Sequence, residues 1–327
     1  MRRAARVRPG PRAPRLGPSG RTHEGRTRPG REGRARRDKL AGTRPHAAPG
    51  DFARRVAIRG GRKLYLECRG KGTPTVMLEA GTGDVAQIWS EPPVGRGRAV
   101  LPAVAGFTRV CAYDRPGTYL LPDELSRSDP VAMPRSARDI LLDLRALLRA
   151  ARVPGPYVLA GHSFGGMVAR LYATTHPRRI AGLVSIDAQN EDFVAAYNEF
   201  LTPEQYEAAV LNPPPPPGLE GYPEVERLSL EVSAAQMRQA QADTPLRRMP
   251  LVVLSHSREL PNPFGFPPDW PIEALEQAFK DSQDELAGLV PGARHVIASR
   301  STHYIQLDQP RLVTREIRRI VREVRSR

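Results

Sequence analysis

The stretch LAGHSFGGMVARLY, residues 159–172, constrains this chain more than any other. It sets a serine between glycines as Gly161-His162-Ser163-Phe164-Gly165, which fits G-x-S-x-G. The apolar run Tyr157-Val158-Leu159-Ala160 leads into it as a short buried strand would, and Met167, Val168, Leu171 and Tyr172 recur after it at helical spacing. Strand, sharp turn and helix together hold a serine hydroxyl out on strained backbone, with glycines where side chains would strike the adjoining elements. The spacing predicts that Ser163 is a nucleophile; a glycine-rich turn with no chemistry is the competing reading. A neutral serine is a weak nucleophile, so a base, a group to orient it and donors for an oxyanion must come from elsewhere.

Beyond about residue 51 the pattern is that of one folded unit. FARRVAIR and RKLYLECRG, separated by Gly60-Gly61, read as a hairpin. PTVMLEAG and FTRVCAYDRPG read as the next strands, with a short helix over Val100 to Val104 between them. Residues 136–152 predict an amphipathic helix with Ile140, Leu141, Leu144, Leu147, Leu148 and Ala151 on one face, started by Ser136 and Asp139 as a capping pair. IAGLVSIDA, PLVVL and RHVIAS are further strands, the last two joined by a helix near Ile272 to Leu286, and a terminal helix runs through Val313, Ile317, Ile320, Val321 and Val324. Such alternation predicts an α/β fold, a mostly parallel central sheet with helices on both faces. Residues 188–248 break the rhythm with a capped start at Thr202-Pro203-Glu204-Gln205 and the run Pro213 to Pro217, a stiff spacer. An insertion of this length predicts a small helical layer of its own, lying as a lid over the strand ends.

Charge is unevenly placed. Residues 1–50 hold 15 Lys or Arg against 3 Asp or Glu, whereas the remainder holds 35 against 32. The basic character thus belongs to a tail rich in Arg, Pro and Gly that lacks the apolar residues of a core and is expected to be disordered. Phosphate neutralisation by this tail is physically open, but 46 Arg against 4 Lys over the whole chain points to a general arginine preference, so nucleic-acid binding is not expected. Arg2-Arg3 and Arg36-Arg37 lack the ~7 to 15 apolar residues that follow in a signal segment. No apolar run approaches the ~18 residues of a membrane span. A cytoplasmic location is the expectation. Cys68 and Cys111 fall in strand-like runs and are expected to pack in the core without a disulfide. Scattered histidines and the absence of phosphate-loop or dinucleotide fingerprints predict no metal and no cofactor. Oligomeric state is not encoded in any of these features.

Taken together, MLEAGTGDVAQIW, CAYDRPG, LAGHSFGGMVARLY, LVSIDAQNED, MPLVVLSHSREL and STHYIQLDQPRLV resemble the α/β-hydrolase superfamily with a helical cap, over about 85% of the chain. Of the seven histidines, His303 follows the last strand, at the sheet edge where parallel strands end, and can reach the elbow. The resemblance also puts the catalytic base in that loop. His162 lies within the elbow and cannot turn back onto Ser163, and His256 precedes the acid candidate that follows PLVVL. The resemblance implies backbone N–H donors from Phe164 and, in the loop after the third strand, from Thr82. Ala80-Gly81 stands where many relatives carry His-Gly, which leaves a main-chain donor unaffected. Asp114 of YDRPG is expected to be a structural acceptor, and Gly117-Thr118-Tyr119 departs from the usual continuation in a way that reshapes a pocket wall.

Two acids compete for the third position of a triad. Glu259, after PLVVL, fits the commoner superfamily layout, with Arg258 beside it. Asp187, one strand earlier, fits a layout used by some members and has the shorter reach, so it is preferred. The expected activity is a serine hydrolase cleaving a carboxylic ester or related acyl compound of small size through an acyl-enzyme. Thioester, lactone, amide and acyltransfer chemistries remain open, and a ligand-binding protein on the same fold is the reading from another class. Phe193, Tyr197, Phe200, Tyr206 and Tyr222 are the aromatics available to line a pocket.

Overall fold

The computed structural model describes residues 50–91, 97–121, 124–257 and 267–327. The basic tail and Glu259 lie outside the described residues.

Eight strands form the main sheet: β1 (Phe52–Ala57), β2 (Lys63–Arg69), β3 (Thr75–Glu79), β4 (Val110–Tyr113), β7 (Tyr157–His162), β8 (Ile180–Ile186), β9 (Leu251–His256) and β10 (Arg294–Ala298). A separate small pair is made by β5 (Tyr119–Leu121) and β6 (Glu124–Leu125). The main order is β1-β2-β4-β3-β7-β8-β9-β10. β1, β2 and β4 pair antiparallel, and every pair from β4 onward is parallel. β3, β4, β7 and β9 are buried along their whole length, which their unbroken apolar runs require once helices cover both faces.

The helices divide between those faces. On one lie α3 (Ala137–Ala150), α4 (Phe164–Thr175) and α7 (Leu230–Asp243), and on the other α1 (Gln87–Ser90), α2 (Val100–Val104), α9 (Ile305–Asp308) and α10 (Pro310–Arg325). Ser136 caps α3 reciprocally with Asp139, satisfying two N–H groups that the first turn leaves without partners. In α10, Val313, Ile317, Ile320 and Val321 are buried while Arg311, Arg315, Arg318, Arg319 and Arg322 face outward, so the 3.6-residue period alone fixes its orientation.

Between β8 and β9 come α5 (Glu191–Phe200), α6 (Pro203–Tyr206) with the capping box of Thr202 and Gln205, a π turn at Glu207–Leu211, and α7. They do not form one layer of their own. Ala234, Met237 and Ala240 of α7 join the core beneath the sheet. Phe193, Tyr197 and Val210 cluster instead with Leu275 and Phe279 of α8 (Ile272–Gly288), a helix beyond the insertion. A large side chain such as Met237 or Phe193 stabilises by about 1.5–3 kcal/mol when fully buried, so these two contacts anchor the insertion at both ends.

The cysteine expectation is corrected. Cys68 and Cys111 are directly paired across β2 and β4 and form a disulfide, with Cα atoms 4.1 Å apart. Strand register, which the spacing of two cysteines does not reveal, brings them together. Among the described residues no helix is long and apolar enough to cross a membrane.

Candidate active site

β7 delivers Ser163 directly into the first turn of α4. Its backbone sits at φ +51°, ψ −127°, outside the regions an L-residue prefers. The flanking glycines are explained by contact. A Cβ on Gly161 would lie 2.4 Å from the Gly165 carbonyl oxygen, and one on Gly165 would lie 2.3 Å from that of Ala80. The turn is tied to the neighbouring strand, since the Ser163 N–H donates to the Ile186 carbonyl at 3.1 Å.

The next residue after Ile186 is Asp187, fully buried and itself at φ +46°. Its Oδ2 lies 2.7 Å from Nδ1 of His303, which comes from the loop after β10. The same oxygen lies 2.7 Å from Nδ1 of His256, and Oδ1 accepts the His256 backbone N–H at 2.9 Å. Burial works against the Asp187 charge, but the bonds from His256 and His303 outweigh it and hold the carboxyl down at about 2. His303 moves the other way. Burial lowers its pKa from the ordinary 6.5, helped by His162 and His256, against the pull of Asp187. Asp187, His256 and His303 bring donor-type atoms within 4.8 Å of one another, and each short contact among them is a hydrogen bond to Asp187.

Ser163 and His303 open onto one cavity of about 380 Å³. Thr82 is on its rim; Phe164 is buried behind Ser163, its N–H at the start of α4. Tyr119, Phe193, Tyr197 and Phe279 supply aromatic wall, and Pro213 to Pro216 line it as well, so the proline run shapes the pocket instead of merely spacing the insertion. Phe200 and Tyr222 are exposed. His162 also lines the cavity, its Nε2 3.0 Å from the His303 carbonyl oxygen.

The loop carrying Thr82 is gripped from beneath by Arg115, which is 1% exposed. Its guanidinium donates to Glu226 through Nε at 2.6 Å and Nη2 at 2.9 Å, and to Glu79 through Nη1 at 3.1 Å. It also donates to the carbonyls of Ala80 and Gly81 at 2.7 and 2.5 Å. Glu226, from the insertion, accepts the Gly83 N–H at 2.7 Å. Burial drives Glu79 up to about 7 in spite of Arg115. Asp114 accepts from the Ala86 N–H at 2.8 Å and from Arg127, the structural role expected of it.

A profile of the alpha/beta hydrolase family matches residues 76–316, well over half of the chain, from β3 into the first half of α10. The chain belongs to the alpha/beta hydrolase family. An AB hydrolase superfamily protein of Gibberella zeae is 23% identical over 318 residues, covering 81% of this chain and 92% of the relative. The wild-type Cfl2 crystal structure from Burkholderia cenocepacia superposes with a TM-score of 0.56 at 19% identity, over 85% of this chain and 98% of that one. A thermophilic esterase from Thermogutta terrifontis gives 0.50 at 19% identity, over 84% and 99%. The matches span only 29% of a Schizosaccharomyces pombe relative and 42% of one from Hormonema carpetanum, so the chain covers less than half the length of these curated relatives.

Two features of this alpha/beta hydrolase site go beyond the sequence expectations. His256 meets Asp187, and its place at the end of the strand beside β8 is itself a signal for that contact. Glu226 carried no local signal at all, being 111 residues from Arg115.

Proposed function

We propose that this hydrolase cleaves a carboxylic ester or related acyl compound through an acyl-enzyme on Ser163. The observation that carries the reading is the 2.7 Å bond between His303 Nδ1 and Asp187 Oδ2, because it commits Nε2 of a ring on the Ser163 cavity to proton transfer. Ser163 Oγ attacks the acyl carbonyl as its proton passes to His303 Nε2. The N–H groups of Thr82 and Phe164 receive the oxyanion. Collapse expels the alkoxide, which takes the proton from His303, and water repeats the sequence to release the acid. The aromatic and proline wall favours an apolar acyl or alcohol group, and the esterase name of one structural neighbour is in keeping with this chemistry.

His303 is depressed below 6.5, so turnover should persist at mildly acidic pH, its acid limb falling below that value. Ser163→Ala is expected to lose on the order of 10⁶ in turnover on a panel of chromogenic esters. It should also lose all labelling by a serine-directed phosphonate; labelling equal to the wild type would remove Ser163 from the reaction.

A further inference from the structure

The acyl-transfer sequence uses one of the two imidazoles on Asp187 and leaves the other unexplained. His256 is 3% exposed, with Nδ1 2.7 Å from Asp187 Oδ2 and Nε2 2.6 Å from Oε1 of Glu276 on α8. An ionised carboxylate can only accept, so a ring with a carboxylate on each nitrogen carries a proton on both. Lys280 lies 3.5 Å from the same Glu276 oxygen and favours its ionised form.

Building on the hydrolase reading above, we propose that His256 is a positioning residue, held as an imidazolium between Asp187 and Glu276, that fixes the triad acid and opposes a second positive charge on His303. Asp187 is gripped at both oxygens by His256 alone, through ring and backbone, so its orientation does not depend on His303. A carboxylate shared with a resident cation also does less to stabilise a charged His303, and the base is kept neutral and competent in acid. The balance of pKa values agrees. Burial disfavours the His256 charge, but Asp187 and Glu276 raise it to about 10, and Glu276 is lowered in turn.

Among the described residues, several elements bring charged or titratable groups to His303. β8 contributes Asp187, β9 contributes His256, and β7 contributes His162, whose Nδ1 is 3.7 Å from Asp84 of the Thr82 loop. α8 presents Phe279 to both His256 and His303, and Tyr304 meets His303 edge-on with its own proton held more tightly than usual by burial.

His256→Asn keeps a side-chain donor toward Asp187 and removes the charge. The test follows the pH dependence of phosphonate inactivation, wild type against His256→Asn, together with ¹⁵N spectra of the histidine rings in the full-length wild type. The acid limb of inactivation is expected to move upward by about one pH unit or more in the variant. The wild-type His256 ring is expected to show both nitrogens protonated at neutral pH and above. An unmoved limb, or a wild-type His256 ring that is neutral at neutral pH, overturns the proposal. The ring spectrum needs no activity and no variant, so it decides the matter even if His256→Asn fails to fold. Absence of phosphonate labelling in the wild type would instead count against the nucleophile reading and leave the spectrum to judge His256.

Discussion

Two buried ion clusters flank Ser163, and both have the form carboxylate, cation, carboxylate. On the side of the Thr82 loop the order is Glu79, Arg115, Glu226; on the side of the base it is Asp187, His256, Glu276. The cations differ in kind. A guanidinium presents five donors in a fixed plane and keeps its charge at any physiological pH, so Arg115 can tie two carboxylates and two carbonyls of the Thr82 loop into one rigid piece. An imidazolium has two donors and can surrender one proton. The cluster that shapes backbone is thus built on a permanent charge, and the cluster that touches His303 is built on a titratable one. Removing one member from each cluster should therefore hurt different properties.

The largest effect is expected on the imidazole side. Asp187→Asn should keep the fold and lower turnover by on the order of 10⁴, because the amide no longer selects the His303 tautomer with its proton on Nδ1. Steady-state kinetics on chromogenic esters would check this. Near-normal turnover in a folded Asp187→Asn protein would move the acid elsewhere, with Glu259 the next candidate.

That such a contrast escaped the sequence has a physical cause. Features set by residues three or four apart were legible: the elbow at Ser163, the capping boxes of Ser136 with Asp139 and Thr202 with Gln205, and the buried stripe of α10. That His303 and Asp187 come to one sheet edge was also legible, since each follows a strand and parallel strands end there. What was not legible depends on how distant segments meet. The disulfide requires the register of β2 on β4, and the Glu276 contact requires α8 to pass the end of β9. Glu226 reaches Arg115 only because α7 anchors the far end of the insertion in the main core.

A smaller effect, on stability and not on chemistry, is expected on the guanidinium side. Arg115→Met would leave Glu79 and Glu226 buried without their cation, and removing one partner of a buried ion pair costs about 3–5 kcal/mol. Unfolding in denaturant would measure it. Adding Glu79→Gln and Glu226→Gln to the Arg115→Met chain should return part of the loss, because no uncompensated charge then remains. If the triple variant is no more stable than Arg115→Met alone, buried charge is not the source of the cost.

The most gradual effect, spread over several pH units, separates the clusters by pH. His256 is raised in the folded protein to about 10 from an ordinary 6.5, so its contribution to stability is complete below 6.5 and is lost as pH climbs through 10. Glu79 is raised to about 7 from 4.5, so its contribution is complete below 4.5 and is lost as pH climbs through 7. Arg115, its pKa raised further by Glu226 and Glu79 against the cost of burial, does not titrate in either window. One proton per group limits each slope to about 1.4 kcal/mol per pH unit. Denaturant unfolding of the wild type should thus show an alkaline decline from His256 and an acid-side decline from Glu79, the latter reduced by His303, whose lowered pKa adds stability as pH rises toward 6.5. Glu79→Gln should flatten only the acid-side decline and His256→Asn only the alkaline one. A His256→Asn protein that keeps the alkaline decline would show that the imidazole is neutral in the fold, and the likeness between the two clusters would then be one of shape without charge.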